Sequence, residues 1–188
     1  MTLRKTILGL AIFAAPAFAA QYSFELNPEN TKIQWTLGDV LHKVNGRFNL
    51  KRGHIDFDTE NGKASGNVVV DVTSGNSGSE ARDNRMHTNV LESTKYPEAT
   101  FVPDRIEGTV APTGMYRIKI IGVLTLHGTG HEITMDVDVT AATDQTRAAI
   151  TFNVPYVAWG MKDPSTFLLK VDKTVKVTID AVGRLNGH

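Results

Sequence analysis

From Tyr116 to Leu126 every even position is apolar or glycine: Tyr116, Ile118, Ile120, Gly122, Leu124 and Leu126, with Arg117, Lys119 and Thr125 on the other side. A two-residue period belongs to a β-strand with one buried face, because successive side chains point to opposite sides of the backbone. The same period returns at Ile33, Trp35 and Leu37, and at Ile133, Met135, Val137 and Val139 against Glu132, Thr134, Asp136 and Asp138. It returns again at Ile150, Phe152 and Val154, and at Val175, Val177 and Ile179 against Lys176, Thr178 and Asp180. Turn-forming runs separate these strands: Thr59-Glu60-Asn61-Gly62-Lys63, Ala111-Pro112-Thr113-Gly114 and Ala142-Thr143-Asp144-Gln145. Strands joined in sequence by short turns become antiparallel neighbours.

About eight such strands, each apolar on one face, build either a two-sheet sandwich or a closed barrel. Sandwich strands usually run to about 5–6 residues, and the stretch from Gly114 to His127 is much longer. An all-β, eight-stranded antiparallel barrel is therefore expected, which also removes exposed sheet edges. Its interior is wide enough for side chains or one slim ligand. The stretch Ser77 to Leu91 breaks the alternation. Ser79 and Glu80 are suited to start a short helix that turns Ala81, Met86, Val90 and Leu91 toward an apolar neighbour, so that it caps one barrel end.

Residues 1–19 read as a cleavable signal peptide: Arg4 and Lys5, an apolar run from Ile7 to Ala15, then Ala17-Phe18-Ala19 before the cut. A membrane anchor needs roughly 20 apolar residues, and Pro16 and Gln21 close this run early. Residues 20–188 are then one exported domain, expected in the periplasm or outside the cell and not membrane-spanning. Removing the peptide takes away two of the 20 basic residues and none of the 20 acidic ones. A nearly neutral chain offers no electrostatic footprint for nucleic acid. The absence of cysteine rules out a lipoprotein signal and any disulfide.

The sequence Leu126-His127-Gly128-Thr129-Gly130-His131-Glu132-Ile133 places two histidines four residues apart. That spacing clamps a metal on a helix, but two glycines make a helix there unfavourable. On a continuous strand the same residues stand roughly 13 Å apart. The segment reads best as a bend at Gly128-Thr129-Gly130 joining two strands, with both histidines on the wet side or at the rim. No metal site, cofactor or catalytic residue is expected. A GxSxG elbow, a phosphate-binding loop and a dinucleotide fingerprint are all absent, and Ser165 in Asp163-Pro164-Ser165 suits a turn. The enzymatic alternative is a metal-dependent hydrolase or oxidoreductase using His87, His127 and His131.

Trp35, Phe101, Tyr116 and Phe152 fall on inward faces, and Tyr156, Trp159 and Phe167 crowd one irregular stretch. A barrel lined with such residues and almost no inward charge suits an apolar ligand, held by burial with a few polar groups to orient it. The chain also resembles the YceI-like family of exported, lipocalin-like proteins through motifs ordered along its length. These are Val44-Asn45-Gly46-Arg47-Phe48 with Gly53-His54-Ile55-Asp56-Phe57, Arg82-Asp83-Asn84-Arg85-Met86 with Lys95-Tyr96-Pro97-Glu98-Ala99-Thr100-Phe101, and Gly122-Val123-Leu124-Thr125-Leu126-His127-Gly128. Where the family often continues this turn with Val-Thr-Lys, the chain has Thr129-Gly130-His131. The resemblance implies an elongated apolar tunnel that binds a long isoprenoid or other lipid-like molecule, isoprenoid quinones among them, and it carries over no catalytic residue. The expected ligand contacts are Ile33, Trp35, Met86, Phe101 and Ile118, together with Leu124, Met135, Phe152, Trp159 and Phe167. Arg82, Asp83 and His87 are the head-group candidates, with bracing of the capping segment as the other role of Arg82 and Asp83. A membrane redox partner that receives the lipid is a further expectation, although no motif identifies one.

Overall fold

The computed structural model of the protein describes residues 21–38 and 42–188, so the expected signal peptide at 1–19 lies outside the described residues. Among the described residues nine strands form one antiparallel sheet: β1 (Gln21–Leu26), β2 (Lys32–Gly38), β3 (Lys43–Asp58), β4 (Ala64–Asn76), β5 (Glu98–Glu107), β6 (Gly114–Leu126), β7 (Thr129–Ala141), β8 (Thr146–Val154) and β9 (Val175–Gly187). The sheet closes on itself, because β3 pairs with β4 on one side and β1 and β2 both bridge β3 to β9 on the other. β1 pairs with His54–Asp58 of β3 and Gly183–Gly187 of β9, whereas β2 pairs with Lys43–Phe48 and Lys176–Asp180 of the same two strands. The two are successive halves of one interrupted stave. Nine segments thus make the eight-stranded antiparallel barrel that the apolar alternation predicts.

The interruption has its own chemistry. Asn27 Oδ1 accepts from the backbone N–H of Glu29 at 2.9 Å and of Asn30 at 3.1 Å, which closes a turn where the stave would otherwise continue. β9 runs past this gap and needs partners for its backbone. The Asn27 N–H donates to the Val182 carbonyl at 2.7 Å. The buried hydroxyl of Thr31 donates to the same carbonyl at 3.3 Å and accepts from the Val182 N–H at 3.1 Å.

On β3 one residue is inserted against β4 between Leu50 and Arg52, a β-bulge. It switches the inward parity, so that Val44 and Phe48 before it and Ile55 and Phe57 after it all face the interior. Gly122 provides room on β6: a Cβ there would lie 2.8 Å from the ring of Phe101, whose side chain crosses the glycine.

The β6–β7 hairpin corrects one expectation. Leu126 pairs with Thr129 and Thr125 with Gly130, so the turn is His127-Gly128 and not Gly128-Thr129-Gly130. Both turn residues have positive φ, 53° and 78°, as the primed two-residue turns require. The ring of Tyr96 fixes the glycine's place, since a Cβ on Gly128 would sit 2.6 Å from it.

Two long connections lie at the same barrel end as this hairpin: residues 77–97 between β4 and β5, and 155–174 between β8 and β9. The first contains the expected capping segment, a helix α1 (Glu80–Arg85) running into one π-helical turn (Met86–Val90). Ser79 holds the N-cap position in extended conformation without a side-chain bond to the helix. Short turns close the opposite end. Among the described residues no helix is long and apolar enough to cross a membrane.

Candidate ligand-binding tunnel

A cavity of about 930 Å³ occupies the barrel. It follows the inward faces of whole strands, from Val175 to Leu185 along β9 and from Ile133 to Val139 along β7. Strands of 13 residues rising about 3.3 Å each and tilted by about 40° give a barrel roughly 30 Å tall, so the cavity is long and narrow. Its wall is aliphatic and aromatic through the barrel. Among the described residues four charged ones line it, Arg82, Arg85, Lys162 and Asp163, and all belong to the two long connections at one end. This end is a polar mouth on an apolar tunnel.

Two polar wall groups break the pattern. Thr146 Oγ1, at the turn end of β8, and the indole N–H of Trp35 are buried without a hydrogen-bond partner among the described residues. Trp35 lies across Gly46 of the neighbouring strand, where a Cβ would come within 2.2 Å of its ring. The glycine is therefore required for the indole to lie flat on the wall.

Ile33, Trp35, Met86, Phe101 and Ile118 line the cavity, as do Leu124, Met135 and Phe152. Trp159 and Phe167 do not. Trp159 stacks on His131 with ring centres 3.9 Å apart and an interplanar angle of 4°, and packs on a small cluster of Val154, Tyr156 and Met161 near the mouth. Phe167 projects outward from the second long connection and is 94% exposed.

The head-group candidates separate in the same way. Arg82 lines the mouth, yet its Nε donates to Ser77 Oγ at 2.7 Å and its Nη2 to the Ser77 carbonyl at 2.9 Å. Asp83 accepts from the Ser77 N–H at 2.9 Å and from the Ser77 hydroxyl. Both side chains thus tie α1 to the end of β4. His87 Nε2 donates to the Gly75 carbonyl at 2.9 Å, and its Nδ1 meets Ser93 Oγ at 3.0 Å, away from the lining.

The histidines do not converge. His127 Nε2 contacts Glu92 Oε2 at 2.7 Å and its ring packs on Tyr96. His131 lies under Trp159, and among the described residues no group of three or more histidines or carboxylates is arranged to hold a metal. At the mouth, burial pushes the Tyr156 hydroxyl up to about 12, so it stays protonated and donates to the Asp172 carbonyl at 2.8 Å. Asp163 is held below the usual carboxylate range by the Ser165 hydroxyl and backbone N–H, with Lys173 at 3.8 Å adding to the effect.

Sequence reasoning passes over Arg85, Lys162 and Asp163, because residues in irregular connections carry no period that says where they point. Thr146 is legible: it continues backward the even positions Ala148, Ile150 and Phe152 of β8.

The family model of the YceI-like domain matches residues 24–183, nearly the whole barrel. The chain belongs to the YceI-like family. Among its relatives are the UPF0312 proteins of Vibrio parahaemolyticus and Vibrio campbellii, 33% and 32% identical over 140 residues, which is 71% of this chain and 72% of each of theirs. Solved structures with the same YceI-like barrel include BcnA of Burkholderia cenocepacia, with a TM-score of 0.68 at 17% identity over 84% of this chain and 98% of that one. A polyisoprenoid binding domain from Saccharophagus degradans, implicated in plant cell wall breakdown, gives 0.66 at 14% identity over 87% and 98%. A YCEI protein of Campylobacter jejuni gives 0.54 at 16% identity over 97% and 93%. At these identities the structural matches speak for the shared fold.

Proposed function

We propose that this YceI-like barrel is an exported, non-enzymatic carrier or sequestering protein that holds one long isoprenoid or similar lipid-like chain in its tunnel. The observation that carries the reading is the cavity of about 930 Å³ whose charged lining, among the described residues, is confined to one mouth. Such a volume is at the upper end of pockets for small ligands, and its length and narrowness suit one extended chain. Burial of the chain supplies affinity at about 25 cal/mol for each Å² of apolar surface removed from water. The mouth keeps a polar head hydrated and near Arg85 and Lys162. A neighbour of the same fold described as a polyisoprenoid binding domain supports the ligand class. Isoprenoid quinones fit the same description, with the periplasm as the site of action and a membrane redox partner as the receiver.

The reading is tested on protein purified from its native envelope. Organic extracts should contain a prenyl lipid above a matched control, identified by mass spectrometry, and a prenyl quinone should titrate into extracted protein at about one per chain. Extracts without lipid, together with no binding in titration, would falsify it.

A further inference from the structure

The most exposed large apolar side chains among the described residues are two neighbours beside the tunnel mouth, Phe167 at 94% and Leu168 at 91%. They occupy the centre of a closed turn. The Thr166 N–H donates to the Leu169 carbonyl at 2.8 Å, and the Leu169 N–H donates to Thr166 Oγ1 at 3.0 Å. Ser165 fastens the base of this turn, its N–H donating to Asp163 Oδ1 at 2.9 Å and its Oγ accepting from the Val171 N–H at 2.9 Å. The flanking residues Ser165, Thr166 and Leu169 line the tunnel, so the two apolar side chains project from the rim itself. Single exposed apolar residues are ordinary on protein surfaces; an adjacent pair presented by a hydrogen-bonded turn forfeits burial of both side chains and calls for a partner.

The geometry points to a phospholipid bilayer as that partner, with Phe167 and Leu168 inserted at the boundary between head groups and acyl chains. Exposed Lys162 and Lys170 flank the turn; Lys173 stands 3.8 Å from Asp163, which also accepts from the Ser165 N–H, so that Asp172 is the carboxylate left beside the two lysines. Lysines with apolar stems and charged tips suit the phosphate layer above inserted apolar residues. Docked in this way the mouth opens onto the bilayer, and an apolar chain passes between membrane and tunnel without crossing water. The transfer step rests on the carrier reading; the docking does not.

The experiment uses full-length processed protein and vesicles of phosphatidylethanolamine with phosphatidylglycerol. The parent protein should co-sediment with the vesicles, and the double variant Phe167→Ser, Leu168→Ser should lose about tenfold or more in partitioning with an unchanged melting temperature. A Phe167→Trp protein should show, on mixing with the same vesicles, a blue shift in emission beyond that of the parent. Transfer of a fluorescent prenyl chain between vesicles should slow with the double variant while its affinity for the soluble protein stays the same. Equal partitioning of variant and parent, or no added blue shift from the Phe167→Trp protein, overturns the proposal. So does a parent that ignores vesicles but dimerises through this turn, as shown by a monomeric double variant in sedimentation velocity. If the variant loses the vesicles and no prenyl chain enters the tunnel of either protein, docking stands and the carrier reading fails.

Discussion

Thr146 and His54 show how a single side chain reports on the whole barrel. The Thr146 hydroxyl faces an apolar tunnel without a partner among the described residues, and an unmet buried hydroxyl costs about 1–3 kcal/mol. Thr146→Val keeps the shape and removes that cost, so ligand-free protein should gain about 1 kcal/mol in denaturant unfolding. A loss instead would mean that the hydroxyl has a partner in solution. His54 stands on the outer wall between Asp56, 2.8 Å from its Nε2, and Glu25, 2.5 Å from its Nδ1. The hydrogen bond to Asp56 is the largest cause that holds the imidazole above its ordinary 6.5; burial opposes it, and the nearby Glu25 carboxylate adds to it. Its folded value being raised, its contribution is complete below the unfolded value and disappears as pH rises through the folded one. His54→Gln should therefore destabilise the protein more at about pH 5.5 than at about pH 8.5, with the effect softened by solvent because the side chain is 41% exposed. Equal losses at both pH values would remove the ion pairs from the account. Residue-level legibility follows the same division. Inward wall residues such as Ile118 and Met135 are readable from parity alone, whereas Trp159 and Phe167 join them only by being aromatic, a property that does not fix direction in an irregular connection.

Among the elements, the interrupted stave is the least expected and the most testable. Asn27-Pro28-Glu29-Asn30 has ordinary turn chemistry, and nothing local distinguishes a hairpin from a pause in a stave whose two halves keep one direction. That distinction depends on β9, which supplies Val182, 151 residues beyond Thr31, as partner to both Asn27 and Thr31. Thr31→Val deletes the acceptor for the Val182 N–H in a buried place and should cost about 1–3 kcal/mol. Thr31→Ser retains the hydroxyl and should recover most of that loss; a Ser variant as unstable as Val would assign the effect to packing. The π-helical turn after α1 is equally hidden, since a helix and its one-residue widening share the same apolar positions. The hairpin bend is misplaced by one residue for a related reason. Glycine marks freedom of backbone, and His127, at φ 53°, takes a conformation that nothing in the neighbouring residues assigns to it.

At the scale of the molecule, the alternation that makes the barrel also leaves it hollow. Eight staves close around more space than their own inward side chains fill, and the remaining volume of about 930 Å³ is bounded by groups that gain little from water. A ligand that fills this volume binds the folded chain and not the unfolded one. Its occupancy must appear as stability, about 2.7 kcal/mol at a free concentration one hundred times Kd. For a domain of this size that corresponds to a rise in Tm of about 5–10 °C. Protein stripped by organic extraction and refolded should melt lower by this amount and recover it on adding a prenyl quinone. A straight-chain alcohol too short to reach from the mouth to Thr146 should recover only part. The dependence on concentration separates cargo from filler: a carried ligand gives a Tm that climbs with the logarithm of its concentration, whereas a permanent filler leaves stripped protein unable to refold until the chain is returned. An unchanged Tm after proven removal and re-addition of the chain would place its binding outside the tunnel.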